Sequence, residues 1–331
     1  MEWGVRMHIT ISEMAQLLRR ERAFKIIYHI NPDGDCIGSA FALALILRSI
    51  GAKCKVAGRD PVPEQFRYLT DPIPMDEVID PIYIAVDCSD KHRVGEDLAD
   101  QHFTYWLDHH TSPDEEQADY EFRDSTRSSC CEIILKLAEA IGVKVTKQIA
   151  NLLFTGLVTD TRCFRTRETD AITFETAAKL KRYGADSFGI TRWHTMVKTE
   201  KRLKLESQVY RGMQVLCGGK LVIMMITLAD LERAGIDGQD APDMASINAL
   251  GEVIDIAEMT VMLREYPDGR TRFSVKTFTD NVQAIDIAKQ LGGGGHPDQA
   301  GGFLSLTPEE AREKMTKTCT AYFAKHGIAN D

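Results

Sequence analysis

The chain has 331 residues, 44% of them hydrophobic, and a formal net charge of −9. That length favours two domains over one, and the apolar fraction supports ordinary globular cores. An acidic chain lacks the electrostatic footprint for long duplex nucleic acid, no apolar run reaches the roughly 18 residues of a transmembrane helix, and residues 1–22 are charged without the apolar stretch of a secretory signal.

In chain order, residues 25–29 (KIIYH) read as a buried strand and 38–50 as a helix of small and large apolar residues. Strands follow at 53–57, 82–87 and 103–107, the last running into Asp108-His109-His110. Strand–helix alternation argues for an α/β domain, a parallel sheet with helices on both faces. Helices are expected at 128–141, at 146–158, and at 171–183, where Gly184 supplies a stop. Residues 193–215 are polar, charged and helical in pattern, and read as a connector. A second unit begins near Gly218-Gly219, with a strand at 221–226 and two more at 257–265 and 270–277, joined by the hairpin signal Pro267-Asp268-Gly269. A helix at 281–291, capped by Asp280 or Asn281, runs into four glycines and His296. The domain reading is therefore 1–192, a connector 193–215, and a smaller α/β domain 216–331.

All eight cysteines lie outside any C-x-x-C pair and read as reduced thiols in a cytoplasmic protein. Cys36 and Cys88 adjoin candidate ligands but read as packing residues, because soft thiolates suit a carboxylate-rich site poorly.

Four segments concentrate metal-seeking side chains where an apolar run meets a loop: His29, Asp33 and Asp35; Asp87; Asp108, His109 and His110; and Asp160 after Thr159. Carboxyl ends of parallel strands are where open α/β sheets hold their sites. Imidazole with carboxylate is the ligand set of divalent transition metals. Five carboxylates and three imidazoles exceed what one ion needs; gathered together they suit two metals a few Å apart, an arrangement that hydrolyses phosphate esters. Three of these segments have a plainer reading: an Asx turn formed by Pro32 and Gly34, a lone Asp87 capping a turn, a solvated polar turn at Asp108–His110. The adjacent imidazoles could divide their work, one ligating and one reaching a phosphate, with the carboxylate orienting a ring. Asp160 at a helix C-terminus is electrostatically unfavourable, and a broken local rule hints at function.

Gly38 and Ser39 are expected to open a helix whose amides favour anions. Arg162, Arg165 and Arg167 read individually as solvated surface, with Arg162 the best placed of them for a phosphate. Gly293, Gly294 and Gly295 before His296 could form a flexible linker or allow backbone to approach a phosphate. No Lys-Ser/Thr follows, so this is no Walker motif.

Taken together, H-x-x-P-D-x-D-x-x-G-S at 29–39, V-D-C-S-D around Asp87, D-H-H at 108–110 and T-D-T at 159–161 resemble the DHH phosphoesterase superfamily. The tail resembles the DHH-associated C-terminal domain, with F-S-V-K-T at 273–277, G-G-G-G-H at 292–296 and A-G-G at 300–302. The resemblance implies two divalent ions, Mn²⁺ in the first place and Mg²⁺ as the alternative. His29 and Asp33 would hold the first, Asp35, His109 and Asp160 the second, and Asp87 would bridge them. His110 would act at the scissile phosphate, supported by Asp108, with the site in a cleft that His296 and the glycine loop close from the second domain. Ser39, Arg162, Lys276, Thr277, Gly293, Gly294, Gly295 and His296 are the substrate-side candidates. Lys276-Thr277 stands where the family commonly has Arg-Ser, and a lysine cannot make the planar fork to phosphate.

The subgroup resembled degrades oligoribonucleotides from dinucleotides to about five-mers and often removes the 3′-phosphate from 3′-phosphoadenosine 5′-phosphate. Hydrolysis of cyclic or linear dinucleotides, an inorganic pyrophosphatase, and a non-catalytic nucleotide sensor are the alternatives. The expected partners are short RNA or a small nucleotide, with no long duplex and no membrane; a homodimer is left open.

Overall fold

The computed structural model describes residues 7–111, 117–239, 241–244 and 246–328; residues 1–6 of the N-terminal stretch read above lie outside them. Contacts divide the chain into two compact units, Met1–Val197 and Lys198–Asp331.

In the first unit, β1 (Met7–His8), β2 (Ala23–Ile27), β3 (Lys53–Ala57), β4 (Ile82–Val86), β5 (Tyr105–Asp108) and β6 (Tyr120–Arg123) form one sheet in the order β1-β6-β5-β4-β2-β3. Every pair in it is parallel. Its helices are α1 (Ile11–Leu18), α2 (Gly34–Ser49), α3 (Glu64–Thr70), α4 (Cys130–Ile141), α5 (Lys147–Asp160), α6 (Ala171–Arg182) and α7 (Ser187–Thr191). Strand side chains alternate between faces, and the two faces differ. Ile26, Ile84, Val86, Tyr105 and Leu107 enter a large core shared with α1, α2, α4 and α5. Ile27, Ala85 and Trp106 enter a small cluster with Cys88, Val94, Phe103 and Ala118. Among the described residues, the second face is covered by one helical turn, Lys91–Val94, and its flanking loops.

The helix α2 is apolar nearly all round and buried to match. It starts at Gly34 rather than Gly38, because the Asp33 carboxylate accepts from the amides of Asp35 (3.0 Å) and Cys36 (3.1 Å) and so caps it early. The close packing of α2 on α5 depends on two glycines. A methyl group at Gly38 would sit 2.4 Å from the Leu152 carbonyl oxygen; at Gly156 it would sit 2.3 Å from Cys131 Sγ and 2.6 Å from Asp35 Oδ1. Glycine inside a helix costs about 0.5–1 kcal/mol relative to alanine, so close approach is what holds it there. Gly156→Ala is expected to lose about 1–3 kcal/mol of stability through overpacking and to weaken metal binding by displacing Asp35. Denaturant melts and metal titration of the variant check this, and an unchanged metal affinity would show that the contact is not a constraint on the site.

The second unit holds α8 (Glu200–Gly212), β7 (Gln214–Leu216), β8 (Leu221–Ile226), α9 (Leu228–Ala234), β9 (Met259–Glu265), β10 (Thr271–Thr277), α10 (Ala284–Gln290), β11 (Gly294–Gly295), β12 (Gln299–Leu304) and α11 (Pro308–Lys325). The sheet order is β11-β12-β10-β9-β8-β7, and β8–β9 is its parallel pair among antiparallel ones. Leu221 and Ile223 face a core with α10 and α11, while Val222 and Met224 face one with α8 and α9. The segment read as a connector is mostly α8, which packs within this unit. The helix α10 starts at Ala284, past both expected caps, because the Ala284 amide donates to the Pro297 carbonyl (2.6 Å) and fixes the preceding residues as a turn. Among the described residues, no helix is long and apolar enough to cross a membrane.

Candidate active site

The metal-seeking residues of the first unit converge beyond the carboxyl ends of β2, β4 and β5, where the capped start of α2 and the end of α5 meet them. They form two groups. In the first, His29 Nε2 lies 3.6 Å from Asp33 Oδ2 and 3.8 Å from Asp87 Oδ2. His29 Nδ1 lies 2.8 Å from the Ile30 carbonyl and 3.2 Å from Arg93 Nη2; when it donates to the carbonyl, the Nε2 lone pair is turned toward the carboxylates. Cys36 borders this group, its thiol donating to the Asp33 carbonyl (3.5 Å). In the second, His109 Nε2 lies 3.5 Å from Asp160 Oδ2 and 3.8 Å from Asp35 Oδ2, with Nδ1 donating to the Arg127 carbonyl (3.1 Å). Asp87 faces both groups, its Oδ1 being 3.4 Å from His109 Nε2.

The carboxylates are placed by backbone. Asp35 accepts from the amides of Cys130 (2.6 Å) and Cys131 (3.0 Å), capping α4, whose own N-cap Ser129 makes no side-chain bond. Asp87 follows β4 with a left-handed φ of 57°, a conformation aspartate tolerates better than most residues, and its amide donates to the Leu107 carbonyl (2.9 Å). Asp160 closes α5, the end where a carboxylate is least welcome.

Asp87 Oδ1 is buried and has no hydrogen-bond donor. A buried acceptor without a partner is costly, the more so when charged, and a cation between the groups would supply what it lacks. Burial, with Asp87 close by, pushes Asp35 up to about 7. Burial, with Asp35 and Asp87 close by, pushes Asp160 up to about 8. Burial disfavours a charged His109, but the Asp87 carboxylate 3.4 Å away and the charges of Asp35 and Asp160 outweigh it and raise it to about 11. Burial also works against an ionised Asp33, yet His29 and two amides hold it below the usual carboxylate range. This crowd of carboxylates keeps protons in place of cations. Imidazole and carboxylate donors in these two groups, with a third overlapping set of Asp87, His109 and His110 between them, could hold a pair of divalent ions.

Beside them, the fully buried Asp108 accepts from His110 Nδ1 (2.8 Å) and the His109 amide (2.9 Å) through Oδ1, and from Arg123 (2.5 Å) through Oδ2. His110 is half exposed, its ring centre 4.4 Å from that of His109 with the planes tilted by 53°; the hydrogen bond to Asp108 outweighs burial and raises its pKa.

The substrate-side candidates fare differently. Ser39 is buried, its hydroxyl 3.4 Å from Asp35 Oδ1 and 3.2 Å from Cys131 Sγ. Because α2 starts at Gly34, Ser39 lies in its second turn and supports Asp35 from behind, unlike the substrate contact expected of it. Arg162 is exposed and begins a left-handed run with Cys163 and Phe164 (φ 47°, 60° and 62°) just past Asp160. In the second unit, Lys276 is no solvent-facing strand residue: its side chain is 12% exposed and paired with Glu252. Thr277 donates to the Pro297 carbonyl (3.3 Å). The glycines form no loose linker, since Gly294 and Gly295 pair with Gly301 and Ala300 of β12. A methyl group at Gly293 would meet the Gly301 carbonyl oxygen at 2.3 Å, whereas Gly294 faces open space. His296 is exposed at the turn that follows, its amide bonded to the Gln299 carbonyl (2.8 Å). Sequence reasoning missed Arg93, Arg123 and Arg127, which touch His29, Asp108 and the His109 segment. Reading residues 120–123 as a strand beside Asp108 would have found Arg123.

Residues 24–157 match the DHH family, N-terminal domain, and residues 218–325 match the DHHA1 domain. The chain is 27% identical over 324 residues to the bifunctional oligoribonuclease and PAP phosphatase NrnA of Thermus thermophilus, covering 95% of this chain and 94% of that one. It is 25% identical to the protein of the same name from Mycoplasma genitalium, covering 89% and 93%. Its fold matches that of an exopolyphosphatase-related protein from Bacteroides fragilis (TM-score 0.82, 21% identity, 96% and 97% covered). With both domains present in this order and a site built from the D-H-H segment, the chain belongs to the DHH family of phosphoesterases.

Proposed function

We propose that the protein is a two-metal phosphoesterase that hydrolyses short oligoribonucleotides to mononucleotides and removes the 3′-phosphate of 3′-phosphoadenosine 5′-phosphate. The observation that carries the metal site is the orphaned Asp87 Oδ1 between His29–Asp33 and Asp35–His109–Asp160. The substrate class rests on the relatives that bear the oligoribonuclease and PAP phosphatase name and match nearly end to end. On this reading His29 and Asp33 would hold one ion, Asp35, His109 and Asp160 the other, and Asp87 would be shared between them. Two imidazole nitrogens among the donors favour Mn²⁺ over Mg²⁺. Bound there, the ions supply Lewis acidity to the phosphoryl group and make water a nucleophile near neutral pH.

The chain's own groups do the rest. Asp108 holds His110 by Nδ1, so that Nε2 points away from the carboxylate and can stabilise charge building on a phosphoryl oxygen. In the second unit, Gly294, which faces open space, and the exposed His296 offer donors for a terminal phosphate, and Lys276 and Thr277 could join them by leaving Glu252 and the Pro297 carbonyl. The eight unpaired thiols suit a reducing cytoplasm.

The test is product formation by purified protein with Mn²⁺ on a 5′-phosphorylated RNA dinucleotide, 3′-phosphoadenosine 5′-phosphate, cyclic di-AMP and pyrophosphate. Mononucleotide release from the first is expected; activity confined to the last two would overturn the substrate and keep the metal site. A net charge of −9 repels long polyanions outside the pocket, so a trimer should be cut faster per end than a forty-mer. Equal rates would remove charge and length as determinants.

A further inference from the structure

Behind His110 lies a chain of buried charges that neither the metal groups nor the substrate donors require. Asp108 and Arg123 are register partners on the parallel strands β5 and β6, as are Trp106 and Glu121 two residues before them. All four side chains therefore leave the same face of the sheet. Arg123, its side chain 4% exposed, donates Nη1 to Asp108 Oδ2 (2.5 Å) and to the Ser89 carbonyl (3.1 Å), and Nε to Glu121 Oε2 (3.0 Å). Its guanidinium lies 5.8 Å from the Trp106 ring centre. Glu121 is fixed in turn, its other oxygen accepting from the amides of Gln117 and Ala118.

Burying three charges to hold a fold is a poor bargain: desolvation offsets much of the attraction, and apolar residues of similar volume serve stability as well. What the arrangement does provide is direction. Asp108 has one oxygen committed to His110 and the His109 amide and the other to Arg123. Held at both ends, the carboxylate can neither rotate nor swing toward cations beside it. We propose that Arg123, anchored by Glu121, is the positioning residue that locks Asp108 and thereby fixes the tautomer and aim of His110. This rests on the phosphoesterase reading of the same site.

The variant is Arg123→Lys, which keeps the buried charge but cannot bridge two carboxylates with a planar fork; Glu121→Gln weakens the anchor while leaving Arg123 in place. Both should bind two ions as the parent does, because neither residue belongs to a ligand group. Arg123→Lys should lower kcat about 10- to 100-fold, the usual cost of losing a supporting partner at such a site, with KM changed little, and Glu121→Gln should fall between it and the parent. The second readout is independent of turnover: in Mg²⁺-loaded, ¹⁵N-histidine-labelled protein, the low-field His110 Nδ1–H resonance, assigned by its absence in His110→Gln, should be lost or displaced in Arg123→Lys. An unmoved resonance with parental kcat overturns the inference while the parent remains an active phosphoesterase. Loss of metal binding in both variants also overturns it, since Arg123 would then be holding the whole site together. A parent that hydrolyses no phosphoester fails the functional reading, and the resonance still reports whether Arg123 orients His110.

Discussion

Asp87→Asn should lower turnover about 10³-fold or more and yet leave the metal-free protein at least as stable as its parent. The loss follows from the position of the carboxylate, one oxygen toward His29 and the other toward His109. On the two-metal reading, asparagine removes the charged carboxylate that the two ions would share. The Lewis-acid contribution of such a site is several kcal/mol, and each 1.36 kcal/mol is tenfold in rate. Stability moves the other way because Asp87 Oδ1 is buried without a donor among other carboxylates. Asparagine is the right replacement: it tolerates the left-handed φ of 57°, whereas alanine there adds strain of its own. Melting curves with and without Mn²⁺, metal content and dinucleotide hydrolysis together check the prediction. A variant that keeps most of its activity would show that Asp87 is not a bridge.

Asp87 also shows how far the sequence could be read. Each ligand segment ends an apolar run, and the strand ends at 27, 86 and 108 are marked by the switch from β-branched and aromatic residues to His, Asp and Gly. Those ends determine where His29, Asp87 and His109 go, so the candidate segments were legible from local pattern, while their division into ligand groups came from the family resemblance. Three things were not. The start of α2 depends on the Asp33 side chain choosing its own helix as partner, which moved Ser39 from the substrate side to a buried support. The strand β12, second from the edge of its sheet, carries Gly301 and Gly302, a composition that reads as a loop, so the tight fit of Gly293 against it was invisible. Arg123 lies on β6, a four-residue strand of mixed polarity whose pairing with β5 is non-local; no periodic signal announces it. The helix α11 is the opposite case, since Thr307 with Glu310 is a capping box and Pro308 a favoured first-turn residue; that helix was available to a closer reading.

Metal occupancy should depend steeply on pH, and the two groups should part company on acidification. In the second group, metal-free Asp35 holds its proton up to about 7, Asp160 up to about 8 and His109 up to about 11. An ion needs all three deprotonated. Above pH 8 it displaces chiefly the proton of His109; below pH 7 it must displace three. Each displaced proton makes affinity fall about tenfold per unit of pH, so the dependence steepens from about tenfold to about 10³-fold per unit as pH drops. In the first group Asp33 is held in its ionised form and only His29 is raised; with one proton at most to displace, the slope there should not exceed about tenfold. Lowering the pH from 8.5 toward 6 should therefore empty the Asp35–His109–Asp160 position first, and activity at fixed Mn²⁺ should fall with that ion while the His29–Asp33 position remains filled. Titration calorimetry in buffers of different ionisation enthalpy counts the protons released at each step. A constant single proton per ion across this range, or simultaneous loss of both ions, would mean that the carboxylates do not hold protons in the metal-free site and that the repulsion assigned to Asp35, Asp87 and Asp160 is relieved in some other way.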